Sequence, residues 1–188
     1  VTKGLELPGR GRDDKPSMQA PPLLPEETLA RVLRLARLDG LSVLVLAGVF
    51  ALLAAGAREA AFAAVGLAAA GAGAVELHGV ARLRLGDPLG LRWILASQPL
   101  LLAAVWAYCA LRLTGSEMPP LPEELRATVE TTAAELGLSP ADYLRLVHRV
   151  THGLVAGLAT AYQGGLFWYY WRRRDPVRQA LAEHADPV

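Results

Sequence analysis

Four stretches of this sequence carry no Asp, Glu, Lys or Arg: residues 41–57, 60–75, 93–111 and 150–171. Nearly all the charge lies between them. A hydrocarbon layer about 30 Å thick selects for this partition, because it accepts apolar helices and expels ions. Residues 41–57 rise about 25 Å as a helix, the short limit for a crossing. Only Arg58 and Glu59 separate this block from the next. The pattern therefore predicts a tight helical hairpin for the first two spans. In the third, Asp87 is placed to cap and Pro88 to occupy the first helical position. Pro99 lies inside that span, removes one backbone hydrogen bond and predicts a kink.

Two polar segments have helical character of another kind. Residues 25–40 start with Pro25, Glu26 and Glu27, which suit a helix N-terminus. Leu29, Val32, Leu33 and Ala36 form an apolar stripe among Arg31, Arg34 and Arg37. This predicts an amphipathic helix on the membrane surface, with Gly40 allowing a bend into the first span. Residues 121–137 repeat the theme, with Leu125, Val129 and Leu136 on one face and Gly137 as the stop. Aligned without gaps, residues 24–42 and 121–139 share 10 of 19 positions. Common start and stop chemistry in a Leu- and Ala-rich chain explains this as simply as an internal repeat does. Ser139, Pro140 and Asp142 then begin a long helix reaching about Arg173, which contains the fourth span.

The expected fold is thus all-α: an integral membrane four-helix bundle with two amphipathic surface helices. The expected order is an irregular arm (1–24), a first surface helix with spans one to three (25–113), an extramembrane helix and loop (114–139), a long helix with span four (140–174) and a tail (175–188). The arm is rich in Pro and Gly and has no apolar run, so it does not read as a cleavable signal peptide. Arginines on the side of the termini outnumber those on the other side two to one. The positive-inside rule then expects both termini in the cytoplasm, and composition and small size suggest a bacterial inner membrane.

Net charge is +1, with 17 Arg and 2 Lys, so no global field draws nucleic acid. The single Cys109 excludes an intrachain disulfide and a cysteine metal cluster. No P-loop, nucleophile elbow or zinc-protease motif is present, and enzyme activity is not expected. No cofactor is expected either.

Glu76, Ser97, Gln98, Tyr162 and Gln163 fall at comparable depth in the half nearer the termini, where they can form one polar cluster inside the bundle. A carboxylate within a span is costly and is a functional candidate by default. Glu76 and His78 are two apart and so point about 200° apart on a helix. If Glu76 turned to headgroups, or paired with Arg82 or Arg84, it would be an interfacial anchor instead. His148 and His152 share a helix face at metal-ligand spacing, but no third ligand lies near them in sequence, so they are weak metal candidates. Gly153, Gly157, Thr160 and Gly164 form a small-residue stripe suited to close helix packing. Trp168, Tyr169, Tyr170, Trp171, Arg172, Arg173 and Arg174 read as the interfacial anchor of the last span. Five successive aromatics from Phe167 cover every side of a helix, which does not suit a stacking platform for bases.

Two functions follow as expectations. The first is a non-catalytic scaffold or accessory subunit that binds membrane lipids and other helices, as a homo-oligomer or with a membrane-complex partner. The second is a small oligomeric channel or carrier with a polar cavity around Glu76, Gln98 and Gln163.

Overall fold

A computed structural model describes residues 24–115 and 122–185. Among them are six helices and no strand: α1 (Pro25–Gly56), α2 (Ala60–Arg84), α3 (Gly90–Thr114), α4 (Glu123–Glu135), α5 (Pro140–Arg172) and α6 (Arg174–Ala185). The irregular arm expected over 1–24 lies outside the described residues except for Leu24, as does the end of the tail. Helices α1, α2 and α3 are long and apolar enough to cross a membrane. Leu46, Leu52, Leu53 and Leu67 stand fully outside the packed interior, as side chains bathed in hydrocarbon do.

No break interrupts α1 at Gly40. It is one helix of 32 residues, about 48 Å long. Gly40 instead serves a close approach: a Cβ there would lie 3.1 Å from the Gly73 carbonyl oxygen and 3.3 Å from the Glu76 Cβ. Gly73, on α2, faces it in turn. The same device joins α2 to α3, where a Cβ on Gly79 would lie 2.7 Å from the Gly90 carbonyl oxygen. Small residues let helix backbones approach closely in membranes. Here they clamp α1 to α2 and α2 to α3, with Glu76 between the two crossings.

The α1–α2 turn is short, as expected, and puts Arg58 in the left-handed region at φ 64°. Asp87 does not cap α3 directly. Its Oδ1 accepts from the Leu89 N–H at 2.8 Å, closing a turn, and the helix starts at Gly90. Pro99 is tolerated within α3, which continues to Thr114. Ser139 caps α5 by accepting from the Asp142 N–H at 3.1 Å. Neither Gly164 nor Gly165 interrupts α5, which runs for 33 residues.

The first amphipathic stripe does not lie on a surface. Val32 and Ala36 are fully buried against Leu83, Tyr170, Val177 and Leu181, and Leu29 and Leu33 pack at the edge. The cover comes from α6, which lies within the expected tail and folds back on α1. An apolar stripe is satisfied equally by lipid and by another helix, and Val177, Ala180 and Leu181 supply the second. The best-packed core therefore lies at the end of the molecule where α1 begins and α5 finishes. Helix α4 differs: Leu125 and Leu136 are exposed, and only Ala133 is buried.

Candidate functional site

Six polar side chains are buried among the described residues: Thr28 near the start of α1, and Asp39, Glu76, Ser97, Gln98 and Gln163 deeper in the bundle. The close α1–α2 crossing at Gly40 and Gly73 sets Asp39 beside Glu76. Both side chains point inward, at 7% and 1% exposure. Asp39 immediately precedes Gly40, where a Cβ would lie 3.3 Å from the Glu76 Cβ, so the two carboxyl side chains enter the bundle from the same crossing. From α5, the Tyr170 hydroxyl donates to Glu76 Oε1 at 3.3 Å and the Tyr162 hydroxyl donates to Asp39 Oδ1 at 3.0 Å. The Ser97 hydroxyl donates to the Ile94 carbonyl at 2.8 Å. Having used its hydrogen there, it accepts from Gln98 Nε2 at 3.2 Å. This pair of bonds fixes the Gln98 amide, with its NH2 group toward Ser97 and its oxygen turned away.

Glu76, Ser97, Gln98 and Gln163 are thus buried at one level with Tyr162 beside them, the last reaching in from a half-exposed position. Two members were not visible as such in the sequence. Asp39 sits at the end of an arginine-rich stretch and reads as part of a surface helix. A signal for it exists: it falls three residues after Ala36, on the buried stripe. Tyr170 reads as one of five interfacial aromatics, but it is fully buried and belongs to the cluster. Its neighbours lie at the edge of the bundle or outside it. Trp168 and Trp171 are exposed, Arg173 stacks over Tyr169 at 4.5 Å and Arg174 over Trp171 at 4.4 Å.

Glu76 does not pair with the nearby arginines. Arg82 bonds Asp87 at 2.7 Å, and Arg84 and Arg37 are exposed. His78 points out of the bundle and meets the Trp93 ring edge-on at 5.3 Å. Among the described residues no Lys, Arg or His enters the cluster. Several acceptors also lack a hydrogen-bond partner: Asp39 Oδ2, Gln98 Oε1 and Gln163 Oε1.

The other candidates lie apart from this level. His148 and His152 are near the opposite end, with ring centroids 4.3 Å apart. His148 Nε2 meets the Arg112 carbonyl at 2.9 Å and His152 Nδ1 meets the His148 carbonyl at 2.8 Å. No group of three metal-ligating side chains occurs among the described residues. In the small-residue stripe, Thr160 turns to α3 and accepts from Trp106 Nε1 at 3.1 Å. Gly153, Gly157 and Gly164 have open space where a Cβ would stand. Between the two levels an apolar cavity of about 310 Å³ is lined by Phe50, Gly66, Val105, Tyr108 and Val155 among others.

Comparison with protein-family models, curated proteins and solved structures finds no match for this chain.

Proposed function

We propose that this protein is a small membrane channel or carrier that takes up a proton or a small cation at Asp39 and Glu76. The observation that carries this reading is two carboxyls buried at the same α1–α2 crossing with no ion-pair partner among the described residues. Two bare carboxylates buried at one crossing repel, and each costs several kcal/mol to remove from water. Interhelical hydrogen bonds in membranes return only about 0.6 kcal/mol each on average. The hydroxyls of Tyr162 and Tyr170 therefore do not offset a doubly charged pair. The pair requires a proton or a cation, and exchanging it is a transport step.

In this reading α5 crosses the membrane as a fourth span. Its length suffices, and residues 150–171 carry no formal charge. The arginine-rich ends, with Arg31, Arg34, Arg37, Arg84 and Arg172, face the cytoplasm, in agreement with the positive-inside rule. The carboxyl pair then sits in the cytoplasmic half, and the bacterial inner membrane remains the proposed location.

The test is flux in liposomes with pH- and potassium-sensitive dyes. Wild type is expected to conduct, and Glu76→Gln and Asp39→Asn to lose the flux while retaining helix content. A well-reconstituted sample with no Glu76-dependent flux removes this reading. The scaffold reading retains one observation in its favour, the open glycine face of α5. Gly157→Leu is the probe there: a partner helix on that face predicts a change of oligomeric state.

A further inference from the structure

We infer that the cluster is a binding site for one small monovalent cation, held by Asp39 Oδ2 and by the side-chain oxygens of Gln98 and Gln163. This inference rests on the proposed function and specifies its cargo.

Four buried side-chain polar atoms among the described residues lack partners; one is the hydroxyl of Tyr169, whose ring lies under Arg173, and the other three are acceptors. They come from α1, α3 and α5, so no local backbone motif accounts for them. Asp39, Gln98 and Gln163 are each more than nine-tenths buried, at 7%, 1% and 6% exposure. Leaving a buried acceptor unmatched is costly, because it gives up its bond to water and gains nothing. A site that collects acceptors without donors is complementary to a cation or to a cationic donor. The Ser97–Gln98 bond fixes the amide so that an oxygen, not an NH2 group, is the free end.

Charge and hydration narrow the class. The charged or titratable groups facing the site are Asp39 from α1, Glu76 from α2, and Tyr162 and Tyr170 from α5. Helix α3 contributes only the neutral Ser97 and Gln98. The two tyrosines donate to one oxygen of each carboxyl and leave Asp39 Oδ2 open. Calcium and magnesium hold their water far more tightly than a monovalent ion does, so moving them to a buried site costs more. A single positive charge also matches the one open carboxylate oxygen. One such ion on the Asp39 side and one proton on the Glu76 side bring the pair to neutrality. Sodium, potassium and ammonium share this chemistry.

The experiment is thermal unfolding of the purified full chain in detergent, followed by tryptophan fluorescence. Choline chloride is replaced stepwise by sodium, potassium or ammonium chloride at constant ionic strength, with calcium and magnesium as further arms. At least one of the three monovalent ions is expected to raise the midpoint saturably. Gln98→Met and Gln163→Met are each expected to raise the half-saturating concentration about tenfold, a loss near 1.4 kcal/mol, and Asp39→Asn to abolish the shift. Should a variant fail to fold, equilibrium dialysis on wild type decides the matter, with one bound ion per chain expected. No stabilisation over choline by any of the three ions overturns the inference. So does a shift unchanged in Asp39→Asn, or one produced only by divalent ions. If the ion shift is absent while Glu76-dependent proton flux persists, this inference falls and the proposed function stands. If ions bind but no flux occurs, the proposed function falls alone.

Discussion

Replacing Gly73 by alanine tests whether glycine contacts, and not merely apolar surface, hold the carboxyl pair in register. The new Cβ would lie 2.7 Å from both the Gly40 carbonyl oxygen and the Leu44 nitrogen. Both are backbone atoms, so no side chain can rotate away. Ordinary contact begins at 3.4 Å, and α1 and α2 must separate by about 0.7 Å at this point. Overpacking of this kind typically costs about 1–3 kcal/mol. Alanine also gains about 0.8–1.0 kcal/mol of helix propensity over glycine, which obscures the cost in a single variant. Gly157→Ala supplies the control. It has the same propensity gain, and a Cβ there meets nothing within 4 Å. The difference between the two variants isolates the clash, about 1–3 kcal/mol. For a chain of this size each kcal/mol moves the melting midpoint by roughly 2–4 °C. Gly73→Ala should therefore melt well below Gly157→Ala when both are unfolded in the same detergent. Equal midpoints, or a higher one for Gly73→Ala, would refute the reasoning. The displaced α1 should also pull Asp39 from Glu76, so Gly73→Ala should lose flux without touching either carboxyl.

Other outcomes follow from single contacts. Tyr170→Phe removes the donor to Glu76 from the fully buried core; an unfolding measurement should find it about 1–3 kcal/mol less stable, and Tyr162→Phe, half-exposed, less affected. Arg58→Gly relieves a left-handed backbone angle at the α1–α2 turn, so its midpoint in the same assay should rise, by up to about 1 kcal/mol of stability. Membrane sidedness is testable in a Cys109→Ala background. Ser139→Cys and Gln179→Cys should react with an impermeant maleimide from opposite faces of the membrane, and labelling of both from one face contradicts the fourth span.

Depth counting along charge-free stretches puts Glu76, Ser97, Gln98, Tyr162 and Gln163 at comparable depth, because helical rise is nearly constant; in the structure four of them are buried and Tyr162 is half-exposed. It did not separate what faces in from what faces out. Tyr170 and Trp171 are neighbours of similar chemistry, yet one is fully buried and the other exposed; only the rotation of α5 against α3 decides between them. Asp39 was obscured for a related reason. A charged residue ordinarily marks the boundary of a span, and a carboxyl buried beside a glycine crossing defeats that rule. The stripe of Val32 and Ala36 was legible, but its cover was not. Lipid and protein satisfy an apolar face alike, and α6 is too short and polar to announce itself as a core element. The glycine stripe of α5 is plain in the sequence, yet the glycines at close helix approaches are Gly40, Gly66, Gly73, Gly79 and Gly90.

The hydroxyl groups that cover the carboxyl pair come from far along the chain: Tyr170 is separated from Glu76 by 94 positions. At a synthesis rate of roughly 5–20 residues per second, that is on the order of 5–20 s during which the α1–α2 hairpin exists without α5. Over that interval the hairpin holds Asp39 and Glu76 without their tyrosine partners, and the stripe of Val32 and Ala36 waits longer still for α6. A nascent chain that stops before Tyr162 therefore presents to the cell's insertion and quality-control machinery two carboxyls that the finished protein hides.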